Sequence, residues 1–93
     1  MERMQSLGFV ETKGYVPAFA VADAMVKSAN VEIRKKVWVG AGLVTVIVEG
    51  EVGAVRMAVD AGAAAANQMD ALEGCLTIAR PTRELLEMID SQS

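Results

Sequence analysis

The 93-residue chain has no histidine, only one cysteine, and few aromatic residues, at 4% of its composition. Without histidine it lacks the commonest general base and the commonest metal ligand. One cysteine can form neither an intrachain disulfide nor a thiolate cluster for zinc. These absences exclude a histidine-dependent hydrolase, a structural zinc site and a disulfide scaffold, and they predict that the chain carries no metal and no cofactor.

The chain also has no excess of positive charge, with 9 basic and 12 acidic side chains and a net charge of −3. Binding to nucleic acid requires a basic patch that neutralises phosphates, and the sequence has none. The longest apolar stretch, residues 43–48, is far too short to span a bilayer. The N-terminal residues have no apolar run typical of a signal peptide. We therefore expect a cytosolic protein that binds neither nucleic acid nor membranes.

What the chain does contain is a large share of small apolar residues, since 53% of it is hydrophobic. The length suits one domain covering residues 1–93. One interpretation of the apolar content is a tight core, in which the small side chains of residues 61–66 allow another backbone to approach closely. The other is apolar surface reserved for neighbouring molecules, because a monomer does not tolerate a large exposed patch. Composition leaves both interpretations open.

Periodicity and turn residues predict seven elements, in the order strand, helix, strand, strand, helix, strand and short helix. This order is the α+β, ferredoxin-like βαββαβ layout with an added C-terminal helix, and we expect its helices to cover one face of the sheet. Asn30 is a left-handed stop for the first helix, and Thr82 caps the last one. The predicted strands are 7–12, 31–39, 43–48 and 74–79, and the predicted helices are 18–29, 52–66 and 83–89.

The second strand and the turn after it have the clearest patterns. Val31, Ile33, Val37 and Val39 alternate with polar residues and Trp38, which predicts a strand with one solvated face. Residues 40–42, Gly-Ala-Gly, then join it to the third strand as a tight hairpin. A phosphate-binding glycine loop would join a strand to a helix, so this pair of glycines predicts only a turn.

No constellation of catalytic residues is visible. Cys75 has no histidine to activate it and lies in an apolar strand, which favours a buried, inert thiol. Asp60 stands alone in the second helix and is expected to contact backbone or solvent. Lys27 is four residues from Asp23 in the first helix, which predicts a solvated ion pair. The residues therefore indicate binding or assembly rather than catalysis, and the chain is predicted not to be an enzyme.

Six segments of the chain together resemble the hexamer-forming shell proteins of bacterial microcompartments, especially the propanediol- and ethanolamine-utilisation type. Their order and spacing over about residues 6–82 are more specific than any one of them. The resemblance implies the ferredoxin-like fold of the bacterial microcompartment (BMC) domain. The matching segments are residues 8–14, 22–31, 40–48, 53–55, 60–66 and 78–81.

The resemblance also implies a function and a set of site residues. Shell proteins of this family form homohexameric discs with a central pore for small metabolites. The discs tile with other shell proteins in the bacterial cytoplasm, around encapsulated enzymes. Transferred to this sequence, the family roles fall on pore-lining Val39, Gly40, Ala41 and Gly42, on Trp38 at the pore rim, and on Lys27, Asn30 and Arg80 at the inter-hexamer edge.

Two of these positions depart from the family pattern. Trp38 occupies a position that is usually polar, and Ala41 replaces the usual serine or glycine. Both changes make the predicted pore rim less polar. The alternative function is a ferredoxin-like oligomeric sensor that binds small molecules between its subunits. Such a sensor would be stabilised by its ligand and would form a small fixed oligomer without sheets.

Overall fold

In a computed structural model of the chain, residues 5–92 are described, and they form a four-stranded antiparallel sheet with three helices. The strand order is β2-β3-β1-β4, so β2 and β4 are the two edge strands. This architecture confirms the predicted α+β layout. The elements are β1 (Ser6–Lys13), α1 (Tyr15–Ser28), β2 (Glu32–Gly40), β3 (Leu43–Gly50), α2 (Val52–Gln68), β4 (Leu72–Ile78) and α3 (Arg83–Asp90).

The helix starts follow from capping groups that are close in sequence. Thr82 accepts a hydrogen bond from the Leu85 N–H at 3.1 Å, as its predicted capping role requires. Glu51 caps α2 in the same manner, accepting from the two N–H groups of residues 53 and 54. The first helix begins at Tyr15, three residues before the predicted start. Pro17 is tolerated inside it because first-turn N–H groups have no intrahelical partner.

Helices α1 and α2 pack on one face of the sheet at close range. A Cβ atom at Gly8 would lie 2.6 Å from Val59 Cγ2, and one at Gly62 would lie 2.8 Å from Met25 Cγ. Glycine therefore lets α2 approach both β1 and α1, as the small side chains of residues 61–66 predicted. Full burial of each large side chain here stabilises the fold by about 1.5–3 kcal/mol. The fully buried members include Val10, Val21, Met25, Val44, Val46, Val48 and Val55.

The third helix lies on the other face, so the expectation that all helices share one face is wrong. Ile89 is buried with Leu7, Val37 and Ile47, and two leucines of α3 pack around them. These sheet residues point away from α1 and α2 because side chains alternate between the two faces of a strand. A short amphipathic helix can cover either face, and its sequence does not specify which.

The predicted alternation in β2 is also wrong, because the strand has two register irregularities. The first lies between Ile33 and Lys35, so the residue between them is an extra one. As a result Ile33 pairs with Val48 and Val37 with Thr45, and the two side chains point to opposite faces.

The prediction that Asn30 ends the first helix in a left-handed conformation is also wrong. The positive φ angles outside glycine in residues 5–92 belong to Ala41 and Asp70.

Candidate functional site

The hairpin turn between β2 and β3 has an unusual backbone. Gly40, Ala41 and Gly42 have φ angles of 87°, 54° and 78°. Positive φ at both central residues, Ala41 and Gly42, is typical of a two-residue type I′ hairpin turn. A Cβ atom added at Gly40 or Gly42 would meet nothing within 4 Å, so conformation and not space requires glycine there. Ala41 adopts the left-handed region at a cost of about 1–2 kcal/mol.

The turn is held in place by the start of α1. The Gly14 N–H donates a hydrogen bond of 2.7 Å to the Gly42 carbonyl oxygen. Next to it, the rings of Tyr15 and Trp38 meet edge to face, with centroids 5.9 Å apart and an interplanar angle of 75°. Such aromatic pairs contribute about 0.5–1.5 kcal/mol beyond their burial. The five residues predicted for the pore and its rim, Trp38 to Gly42, are all exposed at this end of the sheet.

The predicted edge residues lie at the other end of the strands. Asn30 and Arg80 line two adjoining clefts of about 450 and 350 Å³, which share the residues around Gly50. Lys27 is exposed in the last turn of α1, three residues before Asn30. Its ammonium group lies 2.9 Å from the Asp23 carboxylate, which confirms the predicted ion pair. The fold thus gathers the three edge residues into one region, away from the turn.

A strand length separates the two groups of residues. Strand β2 begins two residues after Asn30 and ends at Gly40, so it runs from the edge residues to the turn. Its nine residues span roughly 25–30 Å at about 3.3 Å per residue. Strand β3 returns from the turn to Gly50, beside the clefts. The strands therefore connect the two predicted sites directly.

An ion-pair network that was not predicted from sequence holds α3 at the end of the sheet where Asn30 and Arg80 lie. The Arg34 guanidinium donates to both carboxylate oxygens of Asp90, at 3.1 and 2.7 Å, and also pairs with Glu49. These hydrogen bonds from Arg34 lower the pKa of Asp90 and raise that of Arg34. Arg34 and Asp90 are 56 positions apart in sequence, so no local pattern marks their contact.

Within residues 5–92, the structure surrounds neither Asp60 nor Cys75, the two residues considered for catalysis, with groups suited to catalysis. Asp60 is exposed on α2, as expected for a solvated carboxylate. Cys75 is exposed on β4, so the prediction of a buried thiol is wrong for the single chain. The reason is that β4 is an edge strand, which the local sequence does not reveal. Among residues 5–92, none of the helices has the length and apolar character needed to cross a membrane.

Comparison with known proteins identifies the family. A family model described as the BMC domain matches residues 6–81, and these residues hold both the turn and the edge residues. The chain belongs to the BMC domain family. The resemblance to bacterial microcompartment shell proteins is thereby confirmed.

Curated relatives of this BMC domain include proteins of two kinds of compartment. The bacterial microcompartment shell protein PduA of Citrobacter freundii is 48% identical over 87 residues, covering 94% of each chain. PduA of Salmonella typhimurium is also 48% identical, covering 94% of this chain and 93% of that protein. The carboxysome shell protein CsoS1 of Prochlorococcus marinus is 51% identical over 81 residues, which are 86% of this chain and 79% of that one.

A solved structure supports the fold of the BMC domain. A microcompartments protein from Desulfitobacterium hafniense superposes with a TM-score of 0.83 and 24% sequence identity over 94% of this chain. The chain spans only 49% of that longer protein. At this identity the likeness concerns the fold alone. The roles assigned to the turn and to the edge residues stay predictions.

Proposed function

We propose that this chain is a structural subunit of a bacterial microcompartment shell, in which six copies form a flat ring around a central pore. The observation that carries the proposal is the position of the two sites at opposite ends of the same strands. If the strands lie along the radius of a ring, the glycine turn reaches the axis and the edge residues reach the perimeter. A single arrangement then accounts for both groups of residues.

The proposed pore uses the backbone of the turn. Val39, Gly40, Ala41 and Gly42 are exposed and bear no charge, and the two glycines have no side chain to obstruct convergence at the axis. Successive backbone N–H groups in positive-φ segments make concave sites suited to small polar or anionic solutes. The hydrogen bond from Gly14 and the Tyr15–Trp38 contact hold the turn against α1. We expect a narrow pore that admits small metabolites.

The proposed perimeter uses exposed polar side chains. Within residues 5–92, Lys27 is held only by Asp23. An exposed pair of this kind contributes about 0.3–0.5 kcal/mol, so the ammonium group is readily available to a neighbouring ring. Arg80 and Asn30 flank the adjoining clefts. Each new hydrogen bond to a charged group contributes about 1.5–3 kcal/mol. Repetition around every ring gives a stable sheet from weak contacts.

The remaining parts of the proposal concern context. Residues 1–93 act as a single BMC domain with a structural and not a catalytic role. Its partners are further copies of itself, other shell proteins of the same compartment and the enzymes enclosed by the shell, in the bacterial cytoplasm. The shell-protein names of the relatives, at 48–51% identity over most of the chain, support this assignment.

Native mass and electron microscopy on the same sample test the proposal. We expect the purified protein to have six times the chain mass of 9.8 kDa and to form six-fold discs, sheets or tubes in negative stain. A small fixed oligomer that never forms sheets at high concentration contradicts the proposal. Stabilisation of such an oligomer by a small molecule would favour the sensor instead.

A further inference from the structure

The start of α1 and the end of β2 together present an exposed apolar surface. Tyr15, Val16, Phe19 and Trp38 form this aromatic patch, and their side chains are between 55% and 67% exposed. The patch includes three of the chain's four aromatic residues. Large apolar groups concentrated at one place on a soluble chain mark an interaction surface.

The aromatic patch is held in a defined arrangement. Tyr15 contacts Trp38 edge to face, and the Lys36 ammonium lies 4.9 Å from the centroid of the Phe19 ring. Phe19 follows Tyr15 by one helical turn, so these contacts link α1 to β2 at two successive levels. Side chains that are already ordered lose less entropy on binding, which favours a specific contact over nonspecific adhesion.

The position of the aromatic patch indicates which molecule covers it. The patch lies on the flank of the sheet formed by α1 and the edge strand β2, next to the glycine turn. In a ring with radial strands, the two edge strands face the two neighbouring copies. A closed ring joins unlike surfaces, so the flank formed by β2 must meet the flank formed by β4. This step rests on the proposed function.

The opposite flank has exposed apolar groups on the same face of the sheet. Cys75 is exposed on β4, and Met69 is exposed at the end of α2. Cys75 pairs with Val10 and Trp38 with Val44, and both partners belong to the core beneath α1 and α2. Cys75 and Trp38 therefore point to the same face of the sheet. Methionine adapts to aromatic surfaces and makes favourable sulfur–aromatic contacts.

We infer that the aromatic patch of each copy packs against the β4 flank of the next copy, around Met69 and Cys75, and is the main apolar contact within the ring. The contact explains why so many aromatic side chains are exposed on the single chain. It also explains the exposed thiol, because Cys75 is covered when the ring forms. Trp38 then connects the subunit contact to the pore turn.

Val16→Glu tests the inference without threatening the fold. The first turn of α1 has no acidic residue, and a carboxylate near a helix N-terminus is favourable. In the ring, the same carboxylate would be buried against apolar groups. We expect the native mass to fall from six copies to one, with an assembly midpoint shifted by about tenfold or more in concentration. Met88→Glu, on exposed α3, is the matched control and should retain the ring.

Fluorescence of Trp38 gives an independent readout, because it is the chain's only tryptophan. We expect emission at shorter wavelength and weaker iodide quenching in the wild-type ring than in the Val16→Glu monomer. Circular dichroism and thermal unfolding establish that both variants are folded. If Val16→Glu forms the same ring as the wild type, and Trp38 is equally quenched in both proteins, the inferred contact is overturned while the proposed ring stands. A wild-type protein that never forms a ring overturns the proposed function as well.

Discussion

At the turn end of the sheet, backbone conformation requires glycine, whereas at the end that carries Lys27, Asn30 and Arg80 a lack of space requires it. Gly42 has a φ of 78° and open space around it, so the conformation alone requires glycine. Gly50, at the edge end, has an ordinary φ, but a Cβ there would lie 3.2 Å from the Asn30 carbonyl oxygen. The same residue type thus meets a conformational requirement at one end and a spatial one at the other.

The difference between the two ends fits the two tasks that we propose for them. Backbone groups in a tight turn cannot rearrange without losing the turn, so the turn end suits an opening of fixed size. Exposed Lys27 and Arg80 can change partners at low cost, so the edge end suits contacts that form and break during assembly. The comparison predicts that substitutions at the edge end change assembly, whereas substitutions at the turn end change permeation or stability.

The largest expected effect is the loss of sheets in Lys27→Ala. Under the proposed function, the ammonium group makes a contact that is repeated around every ring, and its removal leaves the contacts within the ring unchanged. We expect an unchanged ring mass and no sheets by electron microscopy. Lys13→Ala removes the same charge from the exposed end of β1, near the turn, and should still form sheets. Normal sheets from Lys27→Ala, or their loss in Lys13→Ala, would contradict the comparison of the two ends.

A smaller effect is expected on permeation in Ala41→Leu. If the copies converge at the turn as proposed, the larger side chain projects from the centre of each turn and narrows the opening. We expect flux of small solutes through intact shells to fall several-fold, with sheets and ring mass unchanged. Ala41→Gly, which removes the Cβ atom and suits a φ of 54°, should keep or raise the flux. Equal flux through all three proteins would rule out Ala41 as a pore residue.

Features that depend on nearby residues were predictable from sequence. The glycine turn, the Thr82 cap and the Lys27–Asp23 pair each involve positions within four residues of one another. The buried face of α2 was predictable as well, because its apolar residues recur at helical spacing.

Features that depend on register and strand order were not predictable. The extra residue in β2 puts Ile33 and Val37 on opposite faces of the sheet, and no local pattern marks it. The exposure of Cys75 follows from the edge position of β4. The contact of Tyr15 with Trp38 joins two separate elements and has no local pattern. Because the chain has only four aromatic residues, however, few aromatic pairs were possible. The resemblance to a family supplied the site residues, but it did not reveal this contact.

A modest stability effect is expected for Gly42→Ala, and it tests why the turn contains glycine. Gly42 and Gly74 both have open space around the added methyl group, but only Gly42 has a positive φ. We expect Gly42→Ala to lower the free energy of unfolding by about 1–2 kcal/mol, and Gly74→Ala to raise it by about 0.4–1 kcal/mol. Urea unfolding at one protein concentration measures both, because assembly also contributes to stability. Equal effects in the two variants would show that φ is not the reason.

The smallest effect is expected from acid, and it should be confined to the edge end. Hydrogen bonds from Arg34 hold the pKa of Asp90 below its ordinary value of 3.8. The contribution of this pair to stability is therefore fully present above the unfolded-state pKa and is lost as the pH falls through the lower folded-state pKa. The raised pKa of Arg34 keeps it charged throughout this range.

Hydrogen exchange of the α3 amides, followed from pH 5 to below 3.8, measures the loss of the Asp90 contact. We expect protection of α3 to decrease with acid in the wild type, after correction for the intrinsic exchange rate, while amides of the turn end change less. Asp90→Asn should show weaker protection of α3 at every pH and no further change in this window. Asp60→Asn, which alters an exposed carboxylate on α2, should behave like the wild type. Acid-dependent protection of α3 that persists in Asp90→Asn would show that the Arg34–Asp90 contact is not its cause.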